Sequence, residues 1–193
     1  MGEVAKVVMA RNAESFSFFY QENIDRWEQE GASITFFDPE KDVPNLSDCD
    51  LLYLPGGYPE KHLDALVANA DGRRVIRDYA ERGGKVVAEC GGMMYLCQSI
   101  VTDVGECSMC GVLPYKITAR KADRKLSLGY RRFVLDGKEY RGHEFHYTQF
   151  LGEIPPSIVQ VYNAKNEPVA TPVFKYKNVL ASYTHIYNVD VKW

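Results

Sequence analysis

Short apolar runs that alternate with amphipathic stretches, with glycine or proline at the junctions, predict an α/β fold: a central, mostly parallel sheet carrying helices on both faces. Two further observations support that reading. The apolar run Val86-Val87-Ala88 passes through Glu89 into Cys90-Gly91-Gly92 and then becomes helix-like, and the run ending at Leu54 stops abruptly at Pro55-Gly56-Gly57. Strands that end in tight glycine turns before helices are the crossover units of parallel sheets, whose sites lie at the carboxyl ends of the strands.

The elements follow in order. Residues 4–9 read as a strand, and residues 20–30 as an amphipathic helix with Ile24 and Trp27 three apart, closed by Gly31 at its C-terminus. Strands are expected at 33–37 and 50–54, helices at 63–69 and 73–82 before Gly83-Gly84, and a fourth strand at 85–88. The second half changes character. Residues 130–135 and 138–140 flank Asp136-Gly137, the signature of a tight hairpin turn. Further short strands at 158–162, 169–176 and 179–183 either extend the sheet or form a small β layer on its flank, as extra hairpins in the C-terminal half.

With 193 residues, 46% of them hydrophobic and 25% charged, the chain has the balance of one globular domain, residues 1–193. A net charge of -3 and the lack of a basic patch argue against nucleic acid as a partner. Met1-Gly2-Glu3 opens no basic-then-apolar leader and no long apolar run follows, so no membrane association is expected and the compartment is read as cytoplasmic. Five cysteines, Cys49, Cys90, Cys97, Cys107 and Cys110, make an odd count that fits reduced thiols rather than a disulfide framework. Cys107-Ser108-Met109-Cys110 is a C-x-x-C, but no second such pair lies nearby and it falls in a glycine-punctuated connection.

The chemistry concentrates at Cys90. A sharp strand-to-helix turn projects its central side chain from the sheet and tolerates only small residues two before and two after; Ala88 and Gly92 occupy those places. The following helix N-terminus lowers a thiol pKa, and the Gly91 N–H faces a developing oxyanion. The bland alternative is a buried small hydrophobe, which a cysteine after Val-Val-Ala often is.

A thiol nucleophile needs a base, and four histidines are available. His185, after the apolar run 179–183, is the first choice, since it ends a strand from which it can meet Cys90 at the sheet edge; a hydrogen-bonded sheet-end histidine is the competing reading. His143 and His146, three apart, point in different directions on a strand, and no further metal ligands can be placed beside them. His62 reads as a solvated helix residue.

Four strings taken together carry a resemblance. Leu54-Pro55-Gly56-Gly57-Tyr58-Pro59-Glu60, Ala88-Glu89-Cys90-Gly91-Gly92-Met93-Met94-Tyr95-Leu96, Gly142-His143-Glu144-Phe145-His146-Tyr147 and Ala181-Ser182-Tyr183-Thr184-His185 are similar, in this order, to the class I glutamine amidotransferase domain of cobyrinic acid a,c-diamide synthases. The resemblance covers essentially the whole chain. It implies a flavodoxin-like three-layer fold and glutamine hydrolysis, with Cys90 as nucleophile, His185 as base, and the N–H groups of Gly57 and Gly91 as oxyanion donors. The ammonia would pass to a synthetase domain, in cis or in trans, that activates corrin-ring a and c carboxylates with ATP and magnesium. No cofactor or metal is expected in this domain.

Two departures stand out. Where many class I glutaminases carry a Glu two residues past the histidine, this chain has Tyr187, so the resemblance implies a Cys-His dyad whose base is oriented by a backbone carbonyl or another residue, with Glu144 as one candidate to orient it or touch substrate. No G-x-x-x-x-G-K-[ST] stretch occurs in the sequence, so the ATP-binding synthetase domain is expected elsewhere. Two other readings compete: a catalytically silent docking module of the same fold, for which thirteen tyrosines offer a surface, and a DJ-1-like cysteine hydrolase.

Overall fold

The computed structural model describes residues 4–191. Its elements run β1 (Lys6–Ala10), α1 (Gln21–Gln29), β2 (Ser33–Phe37), β3 (Leu51–Leu54), α2 (Leu63–Ala68), α3 (Ala70–Glu81), β4 (Val86–Glu89) and α4 (Gly91–Leu96). There follow β5 (Cys97–Thr102), β6 (Gly105–Ser108), β7 (Leu113–Thr118), β8 (Ser127–Leu135), β9 (Lys138–His146), β10 (Gln149–Leu151), β11 (Val161–Tyr162), β12 (Pro168–Val169), β13 (Val173–Tyr176), β14 (Val179–Ser182) and β15 (His185–Ile186).

The central sheet has six strands in the order β13-β14-β4-β3-β1-β2. All neighbours are parallel except the edge strand β13, which runs against β14. The first-half strands are fully buried where they lie mid-sheet: every residue of β3 and β4 is inaccessible, as strands covered on both faces must be. On one face α1 lays Ile24 and Trp27 against Val7, Met9, Leu51 and Tyr53. On the other, Ile76, Tyr79 and Ala80 of α3 and the whole of α4 pack on Val8, Leu52, Leu54, Val86 and Ala88. Two apolar layers thus sandwich the sheet, as the alternation of strand and helix implied.

Local chemistry sets the boundaries. Gly31 takes φ +87° and closes α1 by donating to the Glu28 carbonyl at 3.0 Å. α3 starts three residues before the expected 73 because the Asn69 side chain caps it, accepting from the Gly72 N–H at 3.2 Å. Asp136 (φ +50°) and Gly137 (φ +79°) make the tight turn of the β8–β9 hairpin, which runs nine paired residues on each side and is longer than the flanking segments expected from sequence.

The second half both extends the sheet and adds layers. β13 and β14 join the central sheet, while β12-β11-β8-β9-β15 form a second sheet that helps cover the α1 face through Phe133, Tyr140 and Val161. The segment 169–176 is therefore two strands in two sheets rather than one. A third sheet, β10-β7-β5-β6, had no sequence signal, since β5 starts at Cys97 directly after α4 with no turn residue between. It takes in part of the C-x-x-C: Cys107 lies in β6 rather than in a connection, and Cys110 is buried in the core. Among the described residues all five cysteines are free thiols, and no helix is long and apolar enough to cross a membrane.

Candidate active site

Cys90 sits between β4 and α4 with φ 48° and ψ -111°, a conformation that L-residues avoid and that costs on the order of 1–3 kcal/mol. Three contacts hold it there. Its N–H donates to the Ser182 carbonyl of β14 at 2.8 Å, and its carbonyl accepts from the Met94 N–H at 2.9 Å, opening the helix. Gly92 lets α4 lie directly on β3, since a Cβ there would stand 2.0 Å from the Leu54 carbonyl oxygen. The small residue two past the cysteine is thus a requirement of close backbone approach, and the side chain is forced out of the strand-to-helix corner.

The glycine pair after β3 meets this corner. A Cβ built on Gly91 would lie 2.8 Å from the Gly57 carbonyl oxygen and 3.0 Å from the Gly57 nitrogen, so the two peptides offered as oxyanion donors are neighbours. Gly57 takes φ +153° against the backbone of Ser15, where a Cβ would approach the Ser15 oxygen to 2.3 Å. Gly56 is bridged to Phe18 in both directions, at 3.0 and 3.1 Å. Around Gly56 the nucleophile and the base converge: a Cβ at that position would be 2.2 Å from His185 Cε1, 2.8 Å from its Nδ1 and 3.4 Å from Cys90 Cβ.

His185 reaches this place because the chain leaves the central sheet at Ser182 and joins the second sheet as β15, where His185 pairs with His143 and Ile186 with Gly142. Gly142 permits the crossing, because a Cβ there would fall 1.8 Å from the His185 carbonyl oxygen. The imidazole is only 3% exposed, and its buried Nδ1 has no hydrogen-bond partner among the described residues. Ring contacts position it, and the Phe18 backbone acts on it as well. His143 stacks on it with centroids 5.1 Å apart and planes 21° from parallel, and Phe18 meets it edge-on at 6.1 Å. His143 is in turn fixed through its Nδ1 by the Tyr20 hydroxyl, and Tyr20 packs edge-on against Tyr187 at 5.3 Å. The residue standing in place of the familiar glutamate thus supports the base through two intervening rings.

Glu144 does not orient His185. Its carboxylate binds Arg131 Nε at 2.8 Å, His146 Nε2 at 2.6 Å and the Thr171 hydroxyl, and these donors hold it down to about 2 against the opposing effect of burial. His143 and His146 lie on opposite faces of β9, as the three-residue spacing implied, and the buried His146 stacks on Tyr183 at 3.5 Å. His62 is more than a solvated helix residue: it stands before α2 with its ring between Glu14, 2.8 Å away, and Glu40, 3.4 Å away. Among the described residues no group of three or more His, Cys, Asp or Glu side chains is arranged to hold a metal ion.

The resting pair is neutral. Burial, then the charge of Glu60, pushes the Cys90 thiol up, with only the Gly91 N–H pulling it down. Cys90 is 4% exposed, so burial outweighs the helix N-terminus that the sequence suggested would lower its thiol. Burial and the nearby His143 bring His185 down to about 4, with the Phe18 backbone opposing. Thiol and imidazole are therefore both uncharged, and the Phe145 carbonyl lies 3.8 Å from the sulfur.

The comparisons with known proteins now have a site to bear on. Residues 6–191 match the family model described as the CobB/CobQ-like glutamine amidotransferase domain. The chain belongs to that family. This amidotransferase domain is 37% identical over 187 residues to a hydrogenobyrinate a,c-diamide synthase of Pseudomonas aeruginosa, covering 96% of the chain and 42% of that protein. It is 36% identical over 198 residues to a cobyrinate a,c-diamide synthase of Syntrophotalea carbinolica, covering 95% of the chain and 42% of the relative. The chain thus spans well under half the length of these curated relatives. In fold it is similar to a glutamine amidotransferase from Thermotoga maritima, with a TM-score of 0.62 and 18% identity over 95% of this chain and 76% of that one.

One residue of the amidotransferase domain escaped the sequence reading although it adjoins the nucleophile. Glu89, 1% exposed, accepts from the Ile186 N–H at 2.8 Å and bonds the Tyr53 hydroxyl, tying β4 to the residue after the base. A glutamate ending an apolar run was the available signal. Burial pushes Glu89 up from 4.5 to about 8. The folded protein therefore holds a proton that the unfolded chain has released, and this stability is present at acid pH and lost as pH climbs from about 4.5 to about 8. Glu89→Gln, which keeps an acceptor for Ile186, is expected to flatten that loss; thermal midpoints from pH 5 to 9 that fall in parallel for both proteins would contradict it.

Proposed function

We propose that the chain hydrolyses glutamine to glutamate and ammonia through a thioester on Cys90. His185 takes the Sγ proton as sulfur attacks the side-chain carbonyl, and the N–H groups of Gly57 and Gly91 receive the charge on the carbonyl oxygen. The proton passes to the leaving nitrogen, ammonia departs, and water, deprotonated by the same imidazole, releases glutamate and restores the thiol. The observation that carries this reading is the meeting, around Gly56, of a cysteine in a strained strand-to-helix turn with the imidazole of His185.

Neutral thiol and neutral imidazole at a buried Cys90 describe a site held back at rest, so turnover by this domain alone is slow and rises when a synthetase engages it. The relatives' names, a,c-diamide synthases of hydrogenobyrinate and cobyrinate, support a,c-diamide formation as the consumer of the ammonia; the same proposal places the ATP-dependent amidation of the corrin-ring a and c carboxylates in a synthetase domain, in cis or in trans, that would hold ATP and magnesium. The domain proposed here is the glutaminase part of that assembly, acting in the cytoplasm without a cofactor of its own.

A glutamine-mimicking electrophile tests the assignment. Diazo-oxo-norleucine is expected to modify Cys90 and to spare Cys49, Cys97, Cys107 and Cys110, as read by peptide mass mapping. Label on another cysteine with Cys90 untouched would overturn it.

A further inference from the structure

Three carboxyl groups lie near enough to act electrostatically on the Cys90 thiol: Glu60, Glu144 and Glu89. Two of them are fully engaged, Glu144 by Arg131, His146 and Thr171, and Glu89 by Tyr53 and Ile186. Glu60 is only half engaged: burial pushes it up from the ordinary carboxylate range, its own backbone N–H steadies the carboxyl, and its Oε2 is buried with no hydrogen-bond partner among the described residues.

The turn that carries Glu60 is rigid and belongs to the site. Residues Pro59–Lys61 form a single 3-10 turn, held by Tyr58 N–H to the Glu14 carbonyl at 2.9 Å and His62 N–H to the Pro59 carbonyl at 2.9 Å. It begins two residues after Gly57, and Pro59 Cδ lies 2.8 Å from where a Cβ on Gly91 would stand, so the turn rests on the start of α4. The basic side chains near Glu60 are Lys61, His62 and Arg124. Each is committed elsewhere: Lys61 over the Tyr58 ring at 4.5 Å, His62 between Glu14 and Glu40, and Arg124 over the Tyr147 ring at 4.7 Å.

A carboxylate oxygen sealed from water without a donor is costly, and such atoms are rarely left so without a reason. The donor that completes this one comes with the ligand, and the best match to a buried carboxylate is a cation with N–H groups. We infer that Glu60 receives the α-ammonium group of glutamine and so selects an amino acid over a plain amide. The inference rests on the glutaminase reading above. It makes the Pro-Gly-Gly-Tyr-Pro-Glu string one device, with Gly57 serving the reacting end of the substrate and Glu60 its amino-acid end.

The test compares two electrophiles on the 193-residue chain: diazo-oxo-norleucine, and its analogue lacking the α-amino group, diazo-oxo-hexanoate. Wild type is expected to label Cys90 about 10- to 100-fold faster with the amino compound, the range of a charge-assisted hydrogen bond. In Glu60→Gln and Glu60→Ala that preference falls to about 3-fold or less, through loss of the amino compound's rate with the other unchanged. The isosteric Gln variant separates this from a folding defect. A preference retained in both variants, or an equal fall with both reagents, overturns the role of Glu60 while leaving the glutaminase intact. Wild type in which neither reagent reaches Cys90 overturns the glutaminase reading and this inference with it.

Discussion

Cys90→Ala is expected to lower glutamine-dependent glutamate release by about a thousandfold or more, since no other group can form the thioester. The change removes only Sγ. Alanine must adopt the same φ of 48° that Cys90 adopts, and the bonds of that backbone to Ser182 and Met94 remain, so the thermal midpoint is expected to stay near that of wild type. A coupled glutamate assay, with the synthetase and ATP present, reads the loss. Activity above a tenth of wild type would remove Cys90 from the mechanism. Absence of activity in wild type as well, under the same conditions, would leave the domain a docking module.

Gly56→Ala is expected to be nearly as damaging to turnover, although residue 56 is not in the reaction. Its Cβ would stand 2.2 Å from His185 Cε1, so the imidazole has to move by more than an ångström. A misplacement of that size costs on the order of a hundredfold in rate. The imidazole has little freedom to yield, with His143 stacked on it, Phe18 at its edge and the chain behind it paired to β9. The two hydrogen bonds between Phe18 and residue 56 use only backbone atoms and survive the change. Glutamate release that stays within about threefold of wild type would show that the ring has room or that His185 is not the base.

The parts of the fold that could be read in advance were those whose chemistry is local. Strand β2 carries its own boundaries, Gly31 its own cap, and Asp136-Gly137 its own turn. The site was legible for a related reason: Gly92, two past Cys90, and Gly57 after β3 are demanded by close backbone contacts, and Gly56 by the ring of His185, so that any side chain there would intrude. What escaped depends on distant partners. β5 follows α4 without a turn residue, and its place is decided by β6 and β7, which come later in the chain. Glu144 stood in the right string, yet Arg131 and Thr171, 13 and 27 residues away, decide which way its carboxylate turns. The thiol's environment was misjudged because the helix N-terminus is a feature of sequence, whereas burial by β9 and the charge of Glu60 arise only on folding.

The switch of sheets between Ser182 and His185 has a mechanical consequence. Cys90 is anchored to the parallel sheet through Ser182, and His185 to the antiparallel one through His143, three residues further along the chain. The Glu89–Ile186 bond straps β4 to β15 directly beside both residues, so nucleophile and base sit in one cross-braced corner where the two sheets meet.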